Sequence, residues 1–153
     1  MLAPIVVASV SGPVASVVQA DRVTPRIADG GDARAVPMTH GEWAYLGEFV
    51  LQAGARRSPA PRSEEEYLYV LSGSAILAVD DVRFFVGPRM GVYLPAGAEV
   101  RWNNGPERLV AVQFFAGPSA GPNYEDWTLE EDEEVWPRPR RMPRPAPSGV
   151  SVR

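Results

Sequence analysis

The sequence predicts an all-β fold, a sandwich or jelly-roll barrel of short strands. Three observations carry that expectation. Proline (16) and glycine (14) together approach one residue in five of the 153, which favours many turns over long helices. From Glu42 onward, short apolar or alternating runs follow one another closely, each closed by a turn cluster. No segment in that region shows a convincing helical period. A jelly-roll barrel closes its sheet edges in this manner and leaves an interior cavity.

The elements follow in order. Residues 1–41 read as an irregular lead-in of strands and turns packing on the barrel, with Ser16 to Val18 and Val23 as candidate short strands and Asp29-Gly30-Gly31-Asp32 as a turn. The barrel core is expected over 42–116. There Trp43, Tyr45, Phe49 and Leu51 alternate with Ala44, Leu46, Glu48, Val50 and Gln52, a period of two with both sides largely apolar. Arg56 to Ser63 is a loop holding Pro59 and Pro61. Strands then follow at Tyr67–Leu71, Ala75–Val79, Val82–Val86, Gly91–Leu94, Val100–Trp102 and Leu109–Phe115. They are separated by Gly73, Asp80-Asp81, Gly87-Pro88, Pro95-Ala96-Gly97 and Asn104-Gly105-Pro106. Residues 117–136 form an acidic loop or a short helix, in which Asp126-Trp127-Thr128-Leu129 is placed to dock on the barrel. From Pro137 the chain is a proline- and arginine-rich tail, expected to be mostly extended and to sample polyproline-type conformations without packing a core. That tail either pairs with the acidic run Glu130 to Glu134 or is solvated with no partner.

Composition removes several function classes. The chain has no cysteine, so thiol chemistry, disulfides and cysteine-held metals are excluded. Its net charge of −4 offers no basic majority to a phosphate backbone, and nucleic acid is not expected as a partner. Residues 1–18 are apolar but lack a basic start and contain Pro4 and Pro13, so a secretory leader is not expected. No stretch is long and apolar enough to span a bilayer, and a bacterial-type cytoplasmic protein is the default expectation.

The glycines, prolines and carboxylates carry a more specific pattern. Gly54 is followed by five residues and Ala60, one residue and Arg62, three residues and Glu66, six residues and Gly73; Pro95, Gly97, Val100 and Asn104 come downstream. This two-part spacing resembles that of the cupin superfamily over about Trp43 to Phe115, with fifteen residues, Ser74 to Pro88, between the parts. Arg89 stands where the family has glycine. The resemblance implies a jelly-roll barrel whose first motif turns the chain into the barrel mouth. It also implies a metal site of three histidines and one glutamate on the inner face. Here Ala60 and Arg62 occupy two of the histidine slots and Val100 the third, and only Glu66 remains. His40 is the single histidine of the chain and reads as a surface or strand-end residue before Gly41. One carboxylate without aligned imidazoles or oxygen partners does not make a transition-metal, magnesium or calcium site, so no metal and no other cofactor is expected.

The candidate site residues follow from this pattern. Glu66 is the candidate acid or base, because a buried carboxylate can be tuned for proton transfer. A carboxylate inside the barrel needs a donor nearby. Arg62 either turns inward to supply one and to bind an anionic ligand, or lies in a plain exposed loop with Pro59 and Pro61. Alternation places Glu66, Leu68 and Val70 on the cavity face and Tyr67, Tyr69 and Leu71 on the other. Val100 and Trp102 likewise look into the barrel, and Trp102 is either a stacking wall for a ligand or filler. Gln113, the one polar residue in its apolar strand, needs a partner that a ligand can supply. Asn104 is expected to serve the turn that follows it.

Two functions remain in competition. In one, the barrel binds a small organic ligand without catalysis or serves as a structural module. In the other, Glu66 drives a metal-free isomerisation, cyclisation or lyase reaction in sugar or secondary metabolism. Cupins commonly pair through an outer sheet face, and the resemblance implies a homodimer in which Tyr67, Tyr69 and the apolar lead-in take part. A metal-dependent dioxygenase is the reading the residues oppose most directly.

Overall fold

The computed structural model describes residues 15–120 and 124–130. The expectations for residues 1–14, for the acidic run beyond Glu130 and for the tail from Pro137 lie outside these. The described chain is all-β, with one 3-10 turn at Ala20–Arg22 and eleven strands: β1 (Arg26–Ile27), β2 (Ala33–His40), β3 (Ala44–Leu51), β4 (Arg56–Arg57), β5 (Glu65–Ser72), β6 (Ala75–Val79), β7 (Val82–Val86), β8 (Gly91–Leu94), β9 (Val100–Asn104), β10 (Leu109–Ala116) and β11 (Thr128–Leu129). Among the described residues no helix is long and apolar enough to cross a membrane.

The strands form two antiparallel sheets. One has seven strands in the order β11-β1-β2-β3-β10-β5-β8, the other four in the order β4-β9-β6-β7. From β3 to β10 the chain crosses between the sheets at every connection except β6–β7, which is what wraps a jelly roll around one interior. Alternation decides which side chains enter it. Along β9 the burial runs in, out, in, out, in from Val100 to Asn104; β10 does the same from Leu109 to Phe115. Tyr45, Phe49, Leu51, Leu68, Val70, Leu77, Leu94, Trp102, Leu109 and Phe115 fill the space between the sheets. Each such side chain contributes about 1.5–3 kcal/mol by leaving water.

Two glycines are required by the fold. Gly73, between β5 and β6, has φ +77°, and a methyl there would overlap the Arg108 carbonyl oxygen and sit 2.7 Å from Leu109 Cα. Gly47 lies beneath the ring of Tyr45, and a methyl would overlap the phenol oxygen and come within 2.8 Å of the Val36 carbonyl. Arg89, at the position where glycine was expected from the motif, is left-handed with φ +67°. An L-residue adopts that conformation at a cost of about 1–2 kcal/mol.

The lead-in differs from the expectation. Ser16 to Val18 and Val23 form no strand; the regular structure nearby is the 3-10 turn of Ala20–Arg22. The strand of that region is instead β2, paired with β3 along nearly its whole length. Its register shifts between Pro37 and Thr39, as suits a proline that has no N–H for the ladder. His40 ends β2 opposite Tyr45 with its side chain exposed, away from the interior. Asn104 does more than serve its turn. Its amide donates to the Glu107 carbonyl at 3.0 Å and to the Gln52 carbonyl at 2.6 Å, tying the β9 end to the β3 end.

Candidate ligand site at the barrel mouth

The site begins with the loop between β4 and β5. Pro59 and Pro61 restrict its backbone, and the Arg62 carbonyl accepts from the Gly97 amide at 2.7 Å, which clamps this loop to the β8–β9 turn. Arg62 therefore faces inward, four residues before Glu66. Its guanidinium carbon lies 4.4 Å from the Phe115 ring centroid and 5.2 Å from that of Tyr124. Guanidinium planes are attracted to such aromatic faces. Its Nε is 4.0 Å from Glu66 Oε2, an ion pair too long to count as a hydrogen bond.

Glu66 is one end of a relay through Gln113 to Tyr124. Gln113 Nε2 donates to Glu66 Oε1 at 2.6 Å, and the Tyr124 hydroxyl donates to Gln113 Oε1 at 2.7 Å. Gln113 is only 1% exposed, so its amide is held in one orientation by both partners. Burial pushes the Glu66 carboxyl above the usual carboxylate range, while the Gln113 donor and the Arg62 charge pull it down and only partly offset that. Burial also raises Tyr124 and Tyr45, against the Arg62 charge. Both phenols stay neutral donors across the physiological range. The Tyr45 hydroxyl has no hydrogen-bond partner among the described residues.

Tyr124 reaches this place from beyond the last long strand. Its ring packs on those of Tyr45, Phe115 and Trp127, at 5.9, 6.1 and 4.5 Å between centroids. The segment is pinned by β11 pairing with β1 and by Arg26, which donates to the Glu125 and Trp127 carbonyls. The Arg34–Glu130 ion pair at 3.0 Å closes its far end.

Above the relay is a mouth lined by Pro59, Ala60, Arg62, Glu64, Glu66, Leu94, Pro95, Ala98 and Val100. The free volume inside is about 20 Å3, within about 270 Å3 counted out to the open entrance. The inner space has room for about one water. The four motif slots, Ala60, Arg62, Glu66 and Val100, thus converge on one cavity. They do not fit a metal ion: a methyl, a guanidinium and an isopropyl group stand with one carboxylate that already accepts a hydrogen bond. Among the described residues no group of three or more histidine, aspartate or glutamate side chains is placed to hold an ion.

Of the residues singled out in the sequence, Arg62, Glu66 and Gln113 come together. Trp102 does not join them. It is 5% exposed and packs 6.5 Å from the Phe49 ring, as filler of the interior. Alternation gave its face but not its depth, and Val100, two residues nearer the rim, is the residue that meets the mouth. Sequence reasoning missed Glu64, Tyr45, Phe115 and Tyr124. Extending the β5 alternation back from Glu66 finds Glu64, and the β10 alternation from Gln113 finds Phe115. No periodic signal leads to Tyr124.

The family model for the cupin domain matches residues 47–115. Protein SchB of Streptomyces halstedii is 32% identical over 129 residues, covering 80% of this chain and 93% of that protein. The chain is a cupin. Solved structures agree on the fold. KdgF from a Halomonas species superposes with TM-score 0.60 at 13% identity, covering 69% of this cupin and 97% of that chain. A predicted oxalate decarboxylase from Thermotoga maritima gives TM-score 0.59 at 18% identity, covering 67% and 99%. In this cupin the four motif positions Ala60, Arg62, Glu66 and Val100 hold an arginine–glutamate pair with two apolar neighbours.

Proposed function

We propose that this cupin works without a resident metal and binds a small polar organic molecule at its mouth, holding it without turnover. The observation that carries this reading is the inward Arg62 guanidinium, seated on Phe115 and Tyr124 where the motif spacing calls for a metal-binding histidine. A fixed planar cation there recognises a carboxylate or carbonyl oxygen. Glu64 and Glu66 beside it accept from hydroxyl groups. A ligand with both kinds of group, such as a hydroxy acid or a sugar, matches the set. The inner space is water-sized, so the ligand sits in the entrance among Pro59, Ala60, Pro95 and Ala98 and does not reach Gln113 or Trp102.

A second reading is supported by one observation, the raised carboxyl of Glu66. A carboxyl whose proton affinity is raised by burial can move protons, which suits a metal-free isomerase, cyclase or lyase. Against it, Glu66 already accepts from Gln113.

A thermal-shift screen of hydroxy acids and sugars, paired with elemental analysis of the purified protein, tests the proposal. The expected result is no stoichiometric metal, and a ligand-dependent rise in Tm that Arg62→Met abolishes. Stoichiometric iron, zinc, nickel or manganese would sink it, as would binding that Arg62→Met leaves intact. Turnover of a screened ligand that Glu66→Gln eliminates would favour the second reading.

A further inference from the structure

The outer face of the seven-stranded sheet carries an aromatic patch that plays no part in the barrel interior. Tyr67 on β5 stands opposite Tyr93 on β8 and Phe114 on β10. The ring centroids are 5.1 Å apart for Tyr67–Tyr93 and 6.1 Å for Tyr67–Phe114. In the next row Tyr69 lies opposite Val112 and Gly91. Together with Val92 these residues bound an open groove of about 380 Å3, almost wholly apolar. Two carboxylates border it. Glu65 accepts from the hydroxyls of both Tyr67 and Tyr93 at 3.0 Å, and Glu48 lies opposite Val112 on the same face.

The chain itself contains a complement to this groove. Residues 137–153 hold five prolines, five arginines and no acid. With the overall charge at −4, the other 136 residues therefore carry −9. A polyproline II helix has 3 residues per turn and rises about 3.1 Å per residue. That period would line up Arg138, Arg141 and Arg144 on one edge and Pro139, Met142 and Pro145 on the next. Prolines in this form present rigid rings to aromatic grooves at small ordering cost, and arginine adds stacking on the same rings.

The reach is right. Glu130 pairs with Arg34. Arg34 stands opposite Val50, which stands opposite Val110; all three alternate with interior residues and so point to the outer side of the sheet. From β11 to β10 there are four strand spacings, and to β5 five, or about 19 and 24 Å. The seven residues from Glu130 to Pro137 extend to about 23–25 Å. We infer that residues 137–147 dock in the same molecule, as a polyproline-type strand, into the groove of Tyr67, Tyr69, Tyr93 and Phe114, with arginines directed at Glu65 and Glu48. The inference is independent of the mouth site.

Tyrosine-selective NMR on the full chain tests it, with its five tyrosines assigned by single Tyr→Phe variants. Arg138→Ser/Arg141→Ser/Arg144→Ser is expected to move the signals of Tyr67, Tyr69 and Tyr93 and to leave the buried Tyr45 and Tyr124 in place. A synthetic peptide of residues 137–147 added to that variant should restore the original positions. The same peptide with serine for those three arginines should bind about tenfold more weakly. Unmoved signals in the triple variant would overturn the inference, including the case in which the arginines pair with the acidic run of residues 130–134. So would signal positions that follow protein concentration together with a doubled mass in light scattering, since a second copy would then cover the groove.

Discussion

Replacing Gln113 by leucine removes the middle of the relay between Glu66 and Tyr124 at almost constant volume. Two groups lose their partner at once. Glu66 Oε1 loses a donor at 2.6 Å and the Tyr124 hydroxyl an acceptor at 2.7 Å. A hydrogen bond to a charged group contributes roughly 1.5–3 kcal/mol and a neutral one roughly 0.5–1.5. Leucine returns about 1 kcal/mol through apolar burial. The net loss is therefore about 1–3.5 kcal/mol, a sizeable part of the 5–15 kcal/mol typical of a domain. Urea unfolding of Gln113→Leu, Tyr124→Phe and the double variant at pH 7 measures it. Tyr124→Phe alone should cost about 1 kcal/mol, but close to nothing once Gln113 is leucine, because it then deletes an orphaned hydroxyl. The penalty should also depend on pH. The Gln113 donor favours the ionised form of Glu66, so without it the carboxyl is displaced further upward. The loss is then smallest in acid, where Glu66 is protonated in both folded proteins, and grows as pH rises above the ordinary carboxylate range, where the parent's raised Glu66 ionises before the variant's. Additive single effects, or a Gln113→Leu protein within about 0.5 kcal/mol of the parent, would refute the relay.

Further predictions concern single positions. Arg62→Met removes the cation that favours the ionised form of Glu66. It should destabilise by about 1–3 kcal/mol near pH 7, and the loss should fade as pH falls through the range in which Glu66 protonates; a pH series of urea midpoints reads both. In the parent protein the raised Glu66 carboxyl means that ionising it opposes folding, so Glu66→Gln should gain stability relative to the parent as pH rises above the ordinary carboxylate range. Gly73→Ala should cost about 3 kcal/mol or more, since it combines a left-handed backbone with overlap on rigid main chain. Arg89→Gly should stabilise by about 1 kcal/mol, visible as a higher Tm with unchanged fold by circular dichroism.

The sequence shows some of these features plainly and hides others for physical reasons. The strands from β5 to β10, and β3 before them, are legible because alternation and turn residues agree at every step. β2 is not, because Ala33-Arg34-Ala35 and Pro37 are poor strand formers, and pairing with β3 overrides their propensity. The two-residue strands β1, β4 and β11 are too short to show a period. Arg62 and Glu66 are legible because motif spacing reports positions on a known framework. Gln113 stands out as a lone polar residue among apolar neighbours. Trp102 was placed on the correct face but not at its depth. Tyr124 is invisible because its position depends on tertiary pinning by Arg26 and the β1–β11 pairing, not on any local pattern.

Tyr124 has a consequence for how this molecule is dissected. The family match stops at Phe115, nine positions before the phenol that caps Gln113. A fragment trimmed to the matched segment would begin inside β3, lack β2, and lose the base of its own binding cup. Its Gln113 would meet solvent and its Arg62 would lack one of two aromatic supports. For cloning, crystallisation or grafting, the functional unit runs from the lead-in through Glu130, wider than the homology that reveals it.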